Sequence, residues 1–190
     1  MGKKLLEMTL EELWQLFPIR LVPHEDCWAA WYEEEAAAIQ AALTPSCVRG
    51  VHHIGSTAIK GIWAKPIVDI LLECAEGCAP QSLTDALVGQ GFICMSRGQD
   101  RVSLNKGYTE NGFAQRVFHL HICRFGMHDE LYFRDYLSDY PEKAKEYEAL
   151  KLRLWKEYEH DRDGYTQMKT NFVSACTDEA KALYAGRYEQ

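Results

Sequence analysis

The spacing of apolar and polar positions changes twice along the chain, near residues 46 and 129, and divides it into three stretches. In the first, "LEELWQLF" repeats its apolar residues at helical spacing. Thr9 is placed to cap that helix, and Glu12, three residues on, completes a capping box. A second helix, "HEDCWAAWYEEEAAAIQAAL", is rich in Ala and Glu, and Thr44-Pro45 must stop it, because proline disfavours helical geometry in the residue before it.

From residue 46 the pattern is that of strands. "CVRGVHHIG" reads as a short strand entering a turn, and "PIVDILLEC" as a central strand. "SLTDALVGQGF" predicts a helix closed by Gly91, with short strands around "FICMSR", "RVSLNKGY" and "RVFHLHICRF". Beyond residue 129 the helical period returns. "DELYFRDYLSDY" has Asp129 as its expected cap, and "PEKAKEYEALKLRLWKEYEHD" opens with Pro141 at the first helical position. Tyr147, Leu150, Leu154 and Tyr158 form an apolar stripe on that helix, and "DGYTQMKTNFVSACTDEAKALYAGRYEQ" continues in the same style. The expected architecture is α+β in one domain: N-terminal helices over 1–45, a mixed-sheet core over 46–128 and C-terminal helices over 129–190.

Composition narrows the classes. A hydrophobic fraction of 47% and a charged fraction of 26% suit a soluble globular chain. The net charge of -7 argues against an extended nucleic-acid surface, which needs a basic patch, but leaves room for a small positive pocket. Seven cysteines without a Cys-x-x-Cys pair predict reduced thiols rather than a disulfide framework. The opening "MGKKLLEMTLEELWQLF" lacks the long uncharged core of a signal peptide, and no run approaches a membrane span. A cytoplasmic protein without membrane contact is expected.

The chemistry concentrates in "HHIGSTAIKGIWAKPIVDILLE", residues 52–73. Alternation along a strand puts Asp69, Leu71 and Glu73 on one face and Val68, Ile70 and Leu72 on the other. A carboxylate among apolar residues is costly to bury unless it is paired or holds a metal. Glu73 lies about 13 Å along the strand, too far to share an ion with Asp69. Gly55 and Ser56 supply a turn with exposed N–H groups, a geometry that holds anions, phosphate in particular.

The stretch "HIGSTAIKGIWAKPIVDILL" closely resembles the signature of the GrpB family (UPF0157) of bacterial proteins. The resemblance continues through "FHLHI", "YFRDYLSDYPEKAKEYEALKLRLWKEY" and "DRDGYTQMKTNFV", over about residues 20 to 180. That family looks like a branch of the nucleotidyltransferase-like, polymerase-beta type of fold. The resemblance implies that Gly55, Ser56 and Thr57 contact nucleotide phosphates and that Asp69 is the first metal-binding carboxylate. It implies Mg or Mn as cofactor and nucleotidyl transfer from a nucleoside triphosphate to an unidentified acceptor. Two departures stand out. Active members of the superfamily usually carry Asp-x-Asp on this strand, where this chain has Leu71, and relatives tend to have Pro where it has Lys60.

The superfamily's third carboxylate sits on a later strand, and at that place this chain has His119 and His121 on one strand face. With Asp69 and His53 they could form a site favouring Zn or Ni over Mg. Lys65, Arg116, Arg134 and Lys169 are the candidate phosphate-binding cations, each of which could instead be solvated or salt-bridged. Three readings stay open: a metal-dependent nucleotidyltransferase, an inactive domain that binds a nucleotide or small phosphorylated ligand, and a transition-metal site built on Asp69, His119 and His121.

Overall fold

The computed structural model describes residues 4–188; the expected N-terminal and C-terminal helical regions run past those limits at their outer ends. The helices are α1 (Leu10–Leu16), α2 (Cys27–Ala42), α3 (Thr84–Val88), α4 (Asp129–Asp139), α5 (Pro141–Glu157), α6 (Arg162–Gln167) and α7 (Thr170–Leu183). The strands are β1 (Val48–Ile54), β2 (Val68–Cys74), β3 (Ile93–Arg97), β4 (Arg101–Thr109) and β5 (Gly112–Cys123). They form one sheet in the order β1-β2-β5-β4-β3, in which β2 and β5 run parallel and every other pair is antiparallel. The α+β class is as expected.

Each sheet face has its own helices. Val68, Ile70 and Leu72 of β2 pack with Phe118, Leu120 and Ile122 of β5 and with Trp28 and Ile39 of α2, making the larger core. On the opposite face Leu71 packs with Ile54, Cys123 and Leu131 of α4. Helices α4, α5 and α7 then pack on one another through Phe133, Tyr136, Tyr147 and Cys176. The capping box of α1 forms as its sequence requires: Thr9 N–H donates to Glu12 at 2.8 Å, and Glu12 N–H to Thr9 Oγ1 at 3.2 Å.

Several local expectations change. The helix expected over "SLTDALVGQGF" shrinks to α3 after a 3-10 turn over Pro80–Leu83. Gly89 and Gly91 sit too close together for a longer helix, and Gly91 turns the chain with φ of 89°. His128, rather than Asp129, occupies the cap position of α4, and Asp129 is its first residue. Cys47 and Cys78 are joined, with Cα atoms 5.5 Å apart, against the expectation of reduced thiols throughout. Pairing of β1 with β2 sets Val48 opposite Cys74, which brings the two flanking cysteines together although they are 31 residues apart in sequence. Cys27, Cys74, Cys94, Cys123 and Cys176 remain free thiols. Among the described residues no helix is long and apolar enough to cross a membrane.

Candidate functional site

Strand β1 delivers the turn to the carboxylate. Its last residue, Ile54, pairs directly with Asp69 of β2, so Gly55 lies over the Asp69 side chain. Gly55 has φ of 70°, and a Cβ there would overlap the carboxylate. Both the backbone conformation and the close approach therefore require glycine. Ser56–Ala58 form one 3-10 turn. The Thr57 hydroxyl donates to the Ile67 carbonyl at 3.4 Å and meets His53 Nε2 at 3.0 Å. The Ser56 hydroxyl bonds to the Tyr147 phenol of α5, whose pKa burial pushes up to about 12.

Asp69 pairs across the parallel strands with His119, and its Oδ1 is 3.1 Å from His119 Nδ1. The carboxylate is not sealed in: its side chain is 28% exposed and lines a cavity. Burial raises its pKa, but the His119 hydrogen bond and neighbouring positive charge outweigh that and hold it below the ordinary value. Asp69 is thus ionised near neutrality and fixes the proton of His119 on Nδ1. His119 Nε2 is 2.7 Å from the Tyr108 hydroxyl, which also accepts from Arg162 Nη2 at 3.1 Å. A guanidinium only donates, so the Tyr108 O–H is left to donate to Nε2. The chain Arg162, Tyr108, His119, Asp69 is then consistent in direction at every link.

The cavity beside Asp69 has a volume of about 230 Å³. Gly55, Ser56, Asp69 and His119 line it together with Lys65, Lys151, Arg162 and Lys169. Tyr165 stands between two of the cations, with the Lys65 ammonium 4.4 Å and the Lys169 ammonium 4.2 Å from its ring centre. Its own hydroxyl is buried without a hydrogen-bond partner. Lys151 is 2% exposed and donates to the Trp63 carbonyl. Among the described residues none of the four cations has a carboxylate within salt-bridge distance. Burial, then Lys169 and Arg162, push Lys65 well below its ordinary pKa. Burial and Lys169 bring Lys151 down to about 7, and burial brings Lys169 down to about 8. Partly or fully buried cations in excess over the single Asp69 carboxylate are costly, and an anion entering this cavity would relieve that cost.

Comparison with known proteins gives the family. The model of the family described as GrpB protein matches residues 18–179. The chain belongs to the GrpB family. A UPF0157 protein of Pseudomonas aeruginosa is 35% identical over 173 residues, covering 90% of this chain and 70% of that protein. Some relatives are longer, and the chain spans 54% of a UPF0157 protein of Bacillus subtilis. The crystal structure of GrpB from Enterococcus faecalis superimposes with a TM-score of 0.74 at 29% identity, over 87% of this chain and 99% of that one. Cid1 poly(U) polymerase bound to MgATP also aligns, with a TM-score of 0.47 at 13% identity over 78% of this chain and 47% of that one.

Of the residues expected from the sequence, this GrpB chain brings Gly55, Ser56, Thr57, Lys65, Asp69, His119 and Lys169 to one cavity. Arg116 and Arg134 lie elsewhere. Arg116 pairs with Glu34 of α2 and stacks over Trp31, on the far side of the sheet. Arg134 pairs with Asp135 at 2.7 Å and donates to the His53 carbonyl at 3.0 Å, tying α4 to β1. Lys151, Arg162, Tyr108, Tyr147 and Tyr165 were not anticipated. Lys151 had a signal: it falls four residues after Tyr147, on the apolar stripe of α5, where a lysine has no reason to be unless its charge is used.

The donor set for a metal follows from the same geometry. His53 lies on the opposite sheet face from Asp69, stacked on Tyr32 at 4.8 Å, with its pKa brought down to about 4 by burial. His121 meets Ser103 at 3.3 Å, and both nitrogens of His119 are already engaged. Among the described residues no three His, Cys, Asp or Glu side chains converge on one point. The histidine set therefore does not fit a transition metal. Nor does the second position of the strand fit a two-metal site, since Leu71 is fully buried in apolar surroundings. Asp69 alone among the described cavity-lining residues offers a carboxylate, and it would suit a hard cation such as Mg.

Proposed function

We propose that this cavity binds the polyphosphate end of a nucleotide-like ligand. The observation that carries the reading is the cluster of Lys65, Lys151, Arg162 and Lys169, which faces one carboxylate and a glycine turn. The N–H groups of the Gly55–Thr57 turn would hold one phosphate, and the four cations would neutralise the others. Where relatives of the wider superfamily carry a second carboxylate, Leu71 offers no ligand, and the lysines supply positive charge directly. Tyr165, whose ring carries the Lys65 and Lys169 ammonium groups, would hold both cations toward the bound anion.

A second reading, transfer rather than binding alone, is favoured by the Asp69, His119, Tyr108 and Arg162 chain. A passive pocket has no need of a directed proton path. In this reading Asp69 would hold one hard cation, which would supply charge neutralisation at the reacting phosphate, and His119 would hold a proton at Nδ1 against the carboxylate.

The test is a melting-midpoint series with inorganic tripolyphosphate and with ATP, GTP, CTP and UTP, each with and without Mg, on wild type, Lys169→Gln and Asp69→Asn. A ligand that binds only the folded state stabilises it by about 2.7 kcal/mol at a hundredfold excess over its dissociation constant. We expect wild type to be stabilised by tripolyphosphate, and Lys169→Gln to lose most of that shift. Asp69→Asn should lose only the part that needs Mg. Absence of any anion-dependent shift in wild type would sink the reading.

A further inference from the structure

By plain alternation along β4, Tyr108 belongs on the far face of the sheet from Asp69. Asn105 pairs with His119 and His119 with Asp69, so these three share one face. Lys106, the next residue, pairs with Phe118 and bonds to Glu35 of α2 on the other face. Two residues further on, Tyr108 should follow Lys106. Instead the strand breaks register between Lys106 and Tyr108. Gly107 carries the break at φ of 90°, and a Cβ there would overlap the Arg116 carbonyl. The break turns Tyr108 over onto His119, with the two rings 5.9 Å apart and 19° from parallel. Bulges of this kind re-aim a side chain and are over-represented beside active sites.

The re-aimed hydroxyl meets the requirements of a nucleophile. His119 Nε2, 2.7 Å away, is within reach to take its proton, and Asp69 Oδ1, 3.1 Å from Nδ1, orients the imidazole from behind. A hydroxyl, a base beside it and a third group orienting the base form the signature of an activated nucleophile, and tyrosine can fill the first role. Arg162 Nη2, 3.1 Å from the same oxygen, would stabilise the phenolate as the proton leaves. Burial raises the Tyr108 pKa more than Arg162 lowers it, so the phenol is protonated at rest and needs the base in order to attack. His119 and Arg162 line the anion cavity, while the Tyr108 ring fronts the adjoining space between α1 and β3. The hydroxyl therefore sits at the wall between the two.

We infer that Tyr108 is a covalent nucleophile that takes a phosphoryl group from a polyphosphate held in the cavity. The inference rests on the transfer reading above and goes past it by making a residue of this chain the first acceptor. In the step, the Tyr108 oxygen forms a bond to the terminal phosphorus as the bond from that phosphorus to its bridging oxygen breaks. The bridging oxygen keeps the electron pair and leaves on the shortened polyphosphate, whose charge Lys65, Lys151 and Lys169 neutralise. The hydroxyl proton passes to His119 Nε2, and Asp69 stabilises the imidazolium. The product is an O-phosphotyrosine, which water or a second substrate would then discharge.

The full chain with Mg is mixed with inorganic tripolyphosphate or with ATP, quenched in acid over a single-turnover time course and mapped by peptide mass spectrometry. Melting-midpoint shifts are measured in parallel. Phosphotyrosine survives acid, whereas phosphohistidine and phospholysine do not, so the quench separates Tyr108 from His119 and the cavity lysines. Wild type should carry phosphate on Tyr108 from at least one of the two donors. Tyr108→Phe should carry none while keeping its midpoint shift, and in His119→Gln the adduct should form about a hundredfold more slowly. If a donor binds and Tyr108 stays unmodified, or only another residue is modified, the nucleophile is overturned and the anion pocket stands. Loss of the midpoint shift in Tyr108→Phe would make the hydroxyl a binding group and overturn it too, as would an unchanged rate in His119→Gln. If neither donor shifts wild type, the anion reading falls and the nucleophile with it.

Discussion

Strand β2 carries two carboxylates on one face, and its two ends treat them differently. Glu73 is 5% exposed and closed off: His52 Nε2 is 3.1 Å from one oxygen and His128 Nδ1 2.8 Å from the other. Burial raises its pKa, but those two hydrogen bonds more than offset this and leave it below the ordinary value. Asp69 has one oxygen on His119, while the other faces Gly55 and a cavity that holds four cations. A carboxylate inside an apolar strand is therefore not in itself a functional signal. What separates the two ends is their surroundings: both Glu73 oxygens are engaged by histidines, whereas Asp69 faces a cavity with a surplus of lysine and arginine side chains.

The largest effect expected from breaking that contrast is on stability. Glu73→Leu strands two partly or fully buried imidazoles and should cost about 3 kcal/mol in urea unfolding. Asp69→Asn, beside a solvent-accessible cavity, should cost less than about 1 kcal/mol. Equal losses would abolish the distinction between a structural and a functional end. Acid should affect both carboxyls alike. Each has a folded pKa below its ordinary value. The stability they contribute is complete above about pH 5 and is lost as pH falls through the folded values.

The next effect has the opposite sign. Lys151→Met removes a buried cation from a cavity in positive surplus, so it should raise stability by about 1 kcal/mol at pH 7 while weakening tripolyphosphate by about tenfold. The pH dependence can be worked through. Lys151 has a folded pKa of about 7 against an ordinary 10.5, so its burden is full below pH 7 and is relieved as pH rises toward 10.5. Wild type should gain stability over that interval and the variant should gain less. Tripolyphosphate affinity should fall over the same range as the charge on Lys151 and Lys169 is lost, with calorimetry showing proton uptake on binding near neutrality. The smallest effect sharpens the boundary of the site. Arg116→Ala, exposed and paired with Glu34, should change stability by no more than about 0.5 kcal/mol and leave tripolyphosphate affinity unchanged. A large loss of affinity there would draw Arg116 into the site.

What the sequence disclosed follows from how local the cause was. The α1 capping box, Pro141 opening α5 and the alternation along β2 depend on neighbours within four residues, and each forms as expected. The turn and Asp69 were legible because a strand and a turn adjacent in sequence stay adjacent in space. His53 went to the wrong face because its placement depends on how β1 registers against β2, which spacing within β1 does not reveal. The Cys47–Cys78 link needed the same register. Arg162 and Tyr165 reach the pocket only because α5 carries the chain back across the sheet to α6. Arg116 and Lys169 looked alike in sequence, and only helix packing separates the one that is paired from the one that is not.

The positive cavity sits inside a chain whose net charge is -7. An approaching polyanion should be repelled at long range by that net charge and attracted by the lysines only at close approach. Long-range repulsion between exposed charges is screened beyond about 8 Å at physiological ionic strength, whereas contacts inside a partly buried pocket are screened much less. Entry and retention of the ligand should then respond to salt in different ways. Moderate salt should speed arrival by masking the exterior and slow departure very little. Most anion-binding proteins with basic surfaces bind more slowly as salt rises. If the cavity takes a polyanion as proposed, this net charge should favour small, compact polyanions over long ones whose charge extends beyond the mouth of the pocket.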